Sequence, residues 1–122
     1  MLPNRFRISK SATDVLKTLK DRTGITPNIL CRLALVLSLE EGASRGDKTP
    51  DLEGSEFNSP TLLGEHAQIY DCYIRQVHGT LDARQYNLVV ASHVDNGLQL
   101  LKRCKTLLDL SQLVAPIAIK AS

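Results

Sequence analysis

His66, His78 and His93, with Cys31, Cys72 and Cys104, are the side chains of this 122-residue sequence that could hold a metal ion. No H-x-x-x-H, C-x-x-C or comparable ligand spacing brings any of them together along the chain, so a structural or surface role is expected for each. Tyr70, Tyr73 and Tyr86 are candidates for a tyrosine nucleophile acting on a phosphodiester, a chemistry that needs histidines or arginines clustered around the hydroxyl. Their helical spacing points instead to packing. Asp47, Asp51, Glu53 and Glu56 do not match a calcium-binding loop with its central glycine and terminal glutamate. Neither phosphate-cradling glycine pattern, G-x-x-x-x-G-K or G-x-G-x-x-G, occurs. The expectation is no catalytic residue, no metal and no cofactor: the chain is not an enzyme acting alone.

What remains is a concentration of cations near the N-terminus. Arg5, Arg7, Lys10, Lys17, Lys20 and Arg22 are the expected DNA-binding residues, because lysines and arginines gathered on one surface suit contacts to phosphates. The competing explanation is a solvated strand edge and helix face, where cations keep edges from pairing wrongly.

The elements that must carry these residues follow from local pattern. RFRIS alternates Arg5, Arg7 and Ser9 with Phe6 and Ile8, the period of a half-buried strand. Ser11 is the expected cap of a first helix, with Asp14 as its capping-box partner. Ala12, Val15, Leu16 and Leu19 supply the apolar stripe, which leaves Lys17 and Lys20 opposite it. Gly24 is placed to end this helix in the left-handed conformation, and Thr26-Pro27 to open the next. That second helix, Pro27 to about Glu41, is apolar on nearly every side and is expected to be buried all round. At about 15 residues it falls short of the roughly 20 that a membrane span needs.

Residues 43–58 read as an acidic loop without regular structure. Beyond it, a third helix is predicted from Ser59-Pro60 to Val77, a fourth from Leu81 to about Val94, and a fifth after a break at Asp95-Asn96-Gly97. The expected organisation is one mainly helical domain over 1–122. Its parts are a strand-helix-helix unit at 4–42, the loop at 43–58, three further helices over 59–110 and an apolar, Pro116-interrupted tail at 111–122.

Composition narrows the setting. The chain holds 43% hydrophobic but only 4% aromatic residues and no tryptophan, so its core is aliphatic, which suits helix packing. Three cysteines far apart argue for reduced thiols in a cytoplasm, and no apolar signal core suggests export. The formal net charge of +2 conceals an uneven spread. Residues 1–35 carry seven cations against two anions, residues 36–71 two against eight, and residues 72–122 six against three. A domain this size with an all-round apolar helix is expected to need a second copy to cover it, as a dimer or tetramer.

Strand, helix, glycine turn and capped helix is also the order of ribbon-helix-helix DNA readers. Over nearly its whole length, however, from RFRISKSATDVLKTLKDRTGITPNILCRLAL through the acidic loop to ASHVDNGLQLL, the sequence resembles the DndE family of bacterial DNA sulfur modification. The resemblance implies a non-catalytic, oligomeric, mainly helical DNA-binding component of the phosphorothioation (restriction-modification) machinery, expected as a homotetramer. Its partner proteins would supply cysteine desulfurase, ATP-dependent sulfur transfer and ATPase functions. No active site is carried over. Double-stranded DNA held by its backbone is the expected ligand, with nicked duplex favoured because it bends at less elastic cost. A ribbon-helix-helix repressor reading bases with Arg5 and Arg7, and a scaffold that only docks protein partners, are the alternatives.

Overall fold

In the computed structural model, residues 3–40 and 49–102 are described. They form β1 (Arg5–Arg7), α1 (Lys10–Thr23), α2 (Pro27–Glu40), β2 (Glu56–Asn58), α3 (Ser59–Leu63), a 3-10 turn (Gly64–His66), α4 (Ala67–His78) and α5 (Ala83–Leu101). The helical class with a short N-terminal strand is as the sequence predicts. Positions 41–48 and 103–122, with Cys104, the C-terminal part of the expected fifth helix and the apolar tail, lie outside the described residues.

Along β1 the alternation holds: Phe6 is fully buried between exposed Arg5 and Arg7. The strand is shorter than RFRIS, and its partner is unexpected. β2 arises inside the acidic segment and pairs antiparallel with β1, setting Arg5 opposite Asn58, Phe6 opposite Phe57 and Arg7 opposite Glu56. The Phe6-Phe57 pair gives the ribbon an apolar side to lay on the helices. Residues 56–58 are therefore strand, where the sequence suggested only loop.

Ser9, not Ser11, caps α1: its hydroxyl accepts from the Ala12 amide at 3.0 Å while donating to Asp95 at 2.6 Å. Ile8 is already fully buried, so the chain must turn into the helix directly after it, and Asp14 has no capping role. Ala12, Leu16 and Leu19 are buried as the stripe requires, and Gly24 ends the helix with φ 75° and its amide on Lys20 O at 2.8 Å. Positive φ is costly for any residue with a Cβ, hence glycine.

The core is α2 laid against α5. Leu30, Cys31, Ala34, Leu35, Leu37, Ser38 and Leu39 are buried, and each enclosed leucine contributes about 1.5–3 kcal/mol. Burial is not uniform, as the sequence had implied, because Ile29 is exposed and Leu33 and Val36 are half-buried.

The expected third helix is two. Gly64, at φ 68° and ψ −157°, ends α3 and begins the 3-10 turn that leads into α4. Arg32 reaches over this glycine from α2, donating from Nε to Leu62 O at 2.6 Å and from Nη2 to Thr61 O at 2.8 Å. The carbonyls at the end of α3 are thus satisfied by a side chain instead of by further helix.

Conversely, the expected fourth and fifth helices are one. α5 runs unbroken through Asp95, Asn96 and Gly97, because each of these turn-forming residues has a partner in the fold. Asp95 accepts from Ser9, Asn96 donates to Ser38 Oγ at 2.9 Å, and Gly97 sits on the backbone of Ala34. At its start α5 carries a reciprocal capping box between Asp82 and Gln85. No helix among the described residues is long and apolar enough to cross a membrane.

Candidate nucleic-acid interface

All six cations singled out by the sequence are exposed, but their electrostatic surroundings differ. Arg5 Nη1 lies 3.4 Å from Glu56 Oε2 and Arg7 Nη2 lies 3.6 Å from Glu56 Oε1, so one carboxylate on β2 serves both arginines. Lys10, the first residue of α1, gives its backbone amide to Asp51 at 3.0 Å. That bond and a second from the Glu53 amide, helped by the Lys10 charge, hold the exposed Asp51 carboxyl below its usual range. The Lys10 charge is correspondingly offset.

Lys17 and Lys20 stand differently. Both are exposed on α1, Lys17 turned away from Leu16 and Leu19 and Lys20 one turn on from Leu16 at the border of the stripe, and among the described residues no carboxylate lies within the 4.0 Å of an ion pair. A long solvated side chain with no intrachain partner gives up its counterion, and nothing else, when a phosphate arrives. Arg22 lines a shallow depression of about 350 Å³ with Asp14, Val15, Thr18, Leu19 and Lys102. Lys102, from the end of α5, thereby joins the α1 surface. Nothing local in the sequence signals this, since 80 residues separate it from Arg22.

The outer edge of β1 is occupied at Arg7. Arg7 donates its amide to Asn87 Oδ1 at 3.1 Å, and Asn87 Nδ2 donates to Arg7 O at 2.8 Å, so one side chain of α5 occupies both backbone groups. On the inner edge Ile8 donates to Ser55 O and accepts from the Gly54 amide, continuing the pairing with the same chain.

The family described as DNA sulphur modification protein DndE matches residues 5–109. The chain belongs to the DndE family. Two solved structures carry the likeness through the fold. The crystal structure of DndE from Escherichia coli B7A, involved in DNA phosphorothioation modification, is 35% identical with a TM-score of 0.75, covering 83% of this chain and 98% of its own. A crystal structure of the DndE G21/24K mutant involved in DNA phosphorothioation is 34% identical with a TM-score of 0.73, covering 83% and 99%. No curated protein matches.

In this DndE-family chain Cys31, Tyr86, His78 and His93 are taken up in the packing of the helices. Cys31 is buried on α2, and burial pushes its thiol up to about 12, away from the reactive thiolate. Cys72 is exposed on α4. Tyr86 is fully buried, 5.8 Å between ring centroids from Phe6, and its hydroxyl donates to Asp71 at 2.7 Å. Burial first, then the Asp71 carboxylate, raises its pKa, so the phenol keeps its proton. Burial alone would also raise Asp71, but hydrogen bonds from Tyr86 and from Arg75 at 2.6 Å outweigh it and lower its pKa. Tyr70 is half-buried and Tyr73 exposed.

His93, fully buried, faces Ser38 Oγ with Nδ1 at 2.6 Å and His78 Nε2 with Nε2 at 2.7 Å. With Asn96 on Ser38, this polar chain links α2, α4 and α5 inside the core; His66 lies apart and exposed. Among the described residues no three histidines, cysteines or carboxylates gather as a metal site.

Proposed function

We propose that this chain is a DNA-binding, non-catalytic component of the phosphorothioation machinery, acting in the cytoplasm and gripping the duplex by its backbone while other sulfur-modification proteins perform the chemistry. The observation that carries the reading is α1, where Lys17 and Lys20 stand exposed and, among the described residues, make no ion pair, with Lys10 at the start of the helix and Arg22 in its last turn, on a member of the DndE family. Lys102 adds a cation beside Arg22, around the depression that also holds Asp14. Backbone binding is favoured over base reading because Arg5 and Arg7 lie on a strand whose outer edge is occupied at Arg7 by Asn87 and whose inner edge pairs with β2 of the same chain, which obstructs the β1-to-β1 pairing that a ribbon-helix-helix dimer would need. The absence of a catalytic role is supported by Cys31 and Tyr86, whose acidic protons are held by burial and by Asp71.

Assembly into a dimer or tetramer belongs to the same proposal. Ile69 is 66% exposed on α4 and borders an apolar groove with Val36, Leu39, Tyr70 and Tyr73, a surface that a second copy would take out of water. Repetition of the α1 face by symmetry would spread cations along a duplex, and nicked DNA would follow such a surface at lower bending cost.

The test is binding of nicked and intact duplexes of one sequence by the native chain and a Lys17→Ala/Lys20→Ala variant across salt concentrations. If both lysines meet phosphates, the slope of log affinity against log salt becomes shallower by about 1.8, twice the roughly 0.9 expected for each contact, and all sequences weaken alike. Unchanged affinity and slope would move the site away from α1. Light scattering showing only monomer at micromolar concentration would remove the oligomer.

A further inference from the structure

We propose that Arg5 and Arg7 form a seat for one DNA phosphate, and that Glu56 fills this seat within the free chain and competes with DNA for it. The inference rests on the DNA-binding reading above and adds to it an intrachain competitor that sets affinity.

The geometry begins with the strand period. Arg5 and Arg7 are two residues apart on β1, so both side chains leave the same face, opposite buried Phe6. Glu56 is the direct cross-strand neighbour of Arg7 and the diagonal neighbour of Arg5, which puts its carboxylate within reach of both. It divides its oxygens between them, Oε2 toward Arg5 and Oε1 toward Arg7. Two guanidiniums converging on two oxygens of one anion is the arrangement that a phosphate group, with its non-bridging oxygens, would also satisfy.

The occupancy is loose. At 3.4 and 3.6 Å both contacts are longer than the roughly 2.7–2.9 Å of a close charge-assisted hydrogen bond. All three side chains are open to water, 71% for Arg5, 47% for Arg7 and 40% for Glu56, and each guanidinium keeps further donors. Exposed pairs of this kind hold weakly, so Glu56 can swing aside without disturbing the ribbon. The ribbon is held by backbone pairing and by Phe6 and Phe57. Glu56 is then a local charge that cancels part of what Arg5 and Arg7 offer a polyanion.

Replacing Glu56 by glutamine keeps the side chain's shape and removes only the charge. With duplex DNA of fixed sequence, Glu56→Gln in the full-length chain is expected to steepen the salt slope by up to about 0.9 and raise affinity up to about eight-fold near 0.1 M salt. Glu56→Asp, which keeps the charge on a shorter stem, is expected to lie between the two. In an Arg5→Ala/Arg7→Ala background the gain from Glu56→Gln should vanish, since a charge removed a Debye length from DNA changes affinity by less than about two-fold.

Native-like affinity and slope for Glu56→Gln, with Lys17→Ala/Lys20→Ala still weakening binding, would overturn the competitor while leaving the DNA-binding reading intact. A gain that persists without the two arginines would overturn the seat. Native protein that binds no DNA would instead end the reading on which the inference rests.

Discussion

Gly97→Ala separates local propensity from tertiary fit, because the two predict opposite signs. Judged on its own helix, the substitution should stabilise by about 1 kcal/mol, since alanine is the better helix former at an interior position. The crossing of α5 over α2 reverses this. A methyl built on Gly97 would lie 2.5 Å from Ala34 Cα and closer still to its carbonyl, all of it main chain that cannot rotate away. Relief requires α5 to lift off α2 by about 1 Å, and Val90, Val94, Leu98 and Leu101 would be drawn from their contacts with it. Strain of this kind costs about 3 kcal/mol or more when backbone must move, so the net loss after the propensity gain is about 2–4 kcal/mol. At roughly 4 °C per kcal/mol for a domain of this size, the melting temperature should fall by about 8–16 °C. Thermal unfolding followed by circular dichroism reads this directly. A rise in melting temperature would mean that α5 and α2 do not cross at this glycine.

Three further outcomes follow from individual contacts. Asn87→Ala strips both backbone partners from Arg7 and opens the edge of β1; a lower urea midpoint, worth about 1–2 kcal/mol, and increased association in light scattering are expected, and native values for both would show the clamp to be idle. Burial, reinforced by the Asp51 charge and opposed by the Ser9 hydrogen bond, raises the pKa of Asp95, so this carboxyl favours the folded state less once ionised. Asp95→Asn, which can still accept from Ser9, should therefore be the more stable protein at neutral pH, with the advantage shrinking as pH falls toward the ordinary carboxylate value; denaturation between about pH 3 and 7 that shows no crossover toward equality refutes this. Under a brief pulse of thiol alkylation, peptide mapping should find Cys72 modified and Cys31 untouched until the chain is unfolded, and comparable labelling of both would place Cys31 at the surface.

The segments legible in the sequence are those whose signals are local. The alternation around Phe6, the stripe of Ala12, Leu16 and Leu19, the turn at Gly24 and the proline that opens α2 all work through neighbours a few residues away. Asp95-Asn96-Gly97 misleads for the same reason, since these residues favour turns when alone, and only Ser9, Ser38 and Ala34 make them compatible with helix. Ser9 was hidden by Ser11 because its capping geometry is fixed by Asp95, 86 residues away. Gly64 gave a visible glycine, but its role as a break depends on Arg32 crossing from α2. At the candidate site the lysines could be placed in solvent on α1 from the stripe alone, whereas the approach of Glu56 to Arg5 and Arg7, the hold of Asn87 on Arg7 and the nearness of Lys102 to Arg22 have no sequence-local signature.

The placement of α5 also decides when this protein can fold. Arg7 waits for Asn87, 80 residues later, and Ser9 waits for Asp95, while α2 has most of its buried side covered only by α5. Such pairings give the fold a high contact order for a helical protein, and no early fragment can close its core. At about 5–20 residues per second, synthesis from the end of α2 at Glu40 to the end of α5 at Leu101 takes about 3–12 s. Throughout that interval a nascent chain carries the aliphatic surface of α2 without its cover, which makes it a substrate for holding chaperones until α5 emerges.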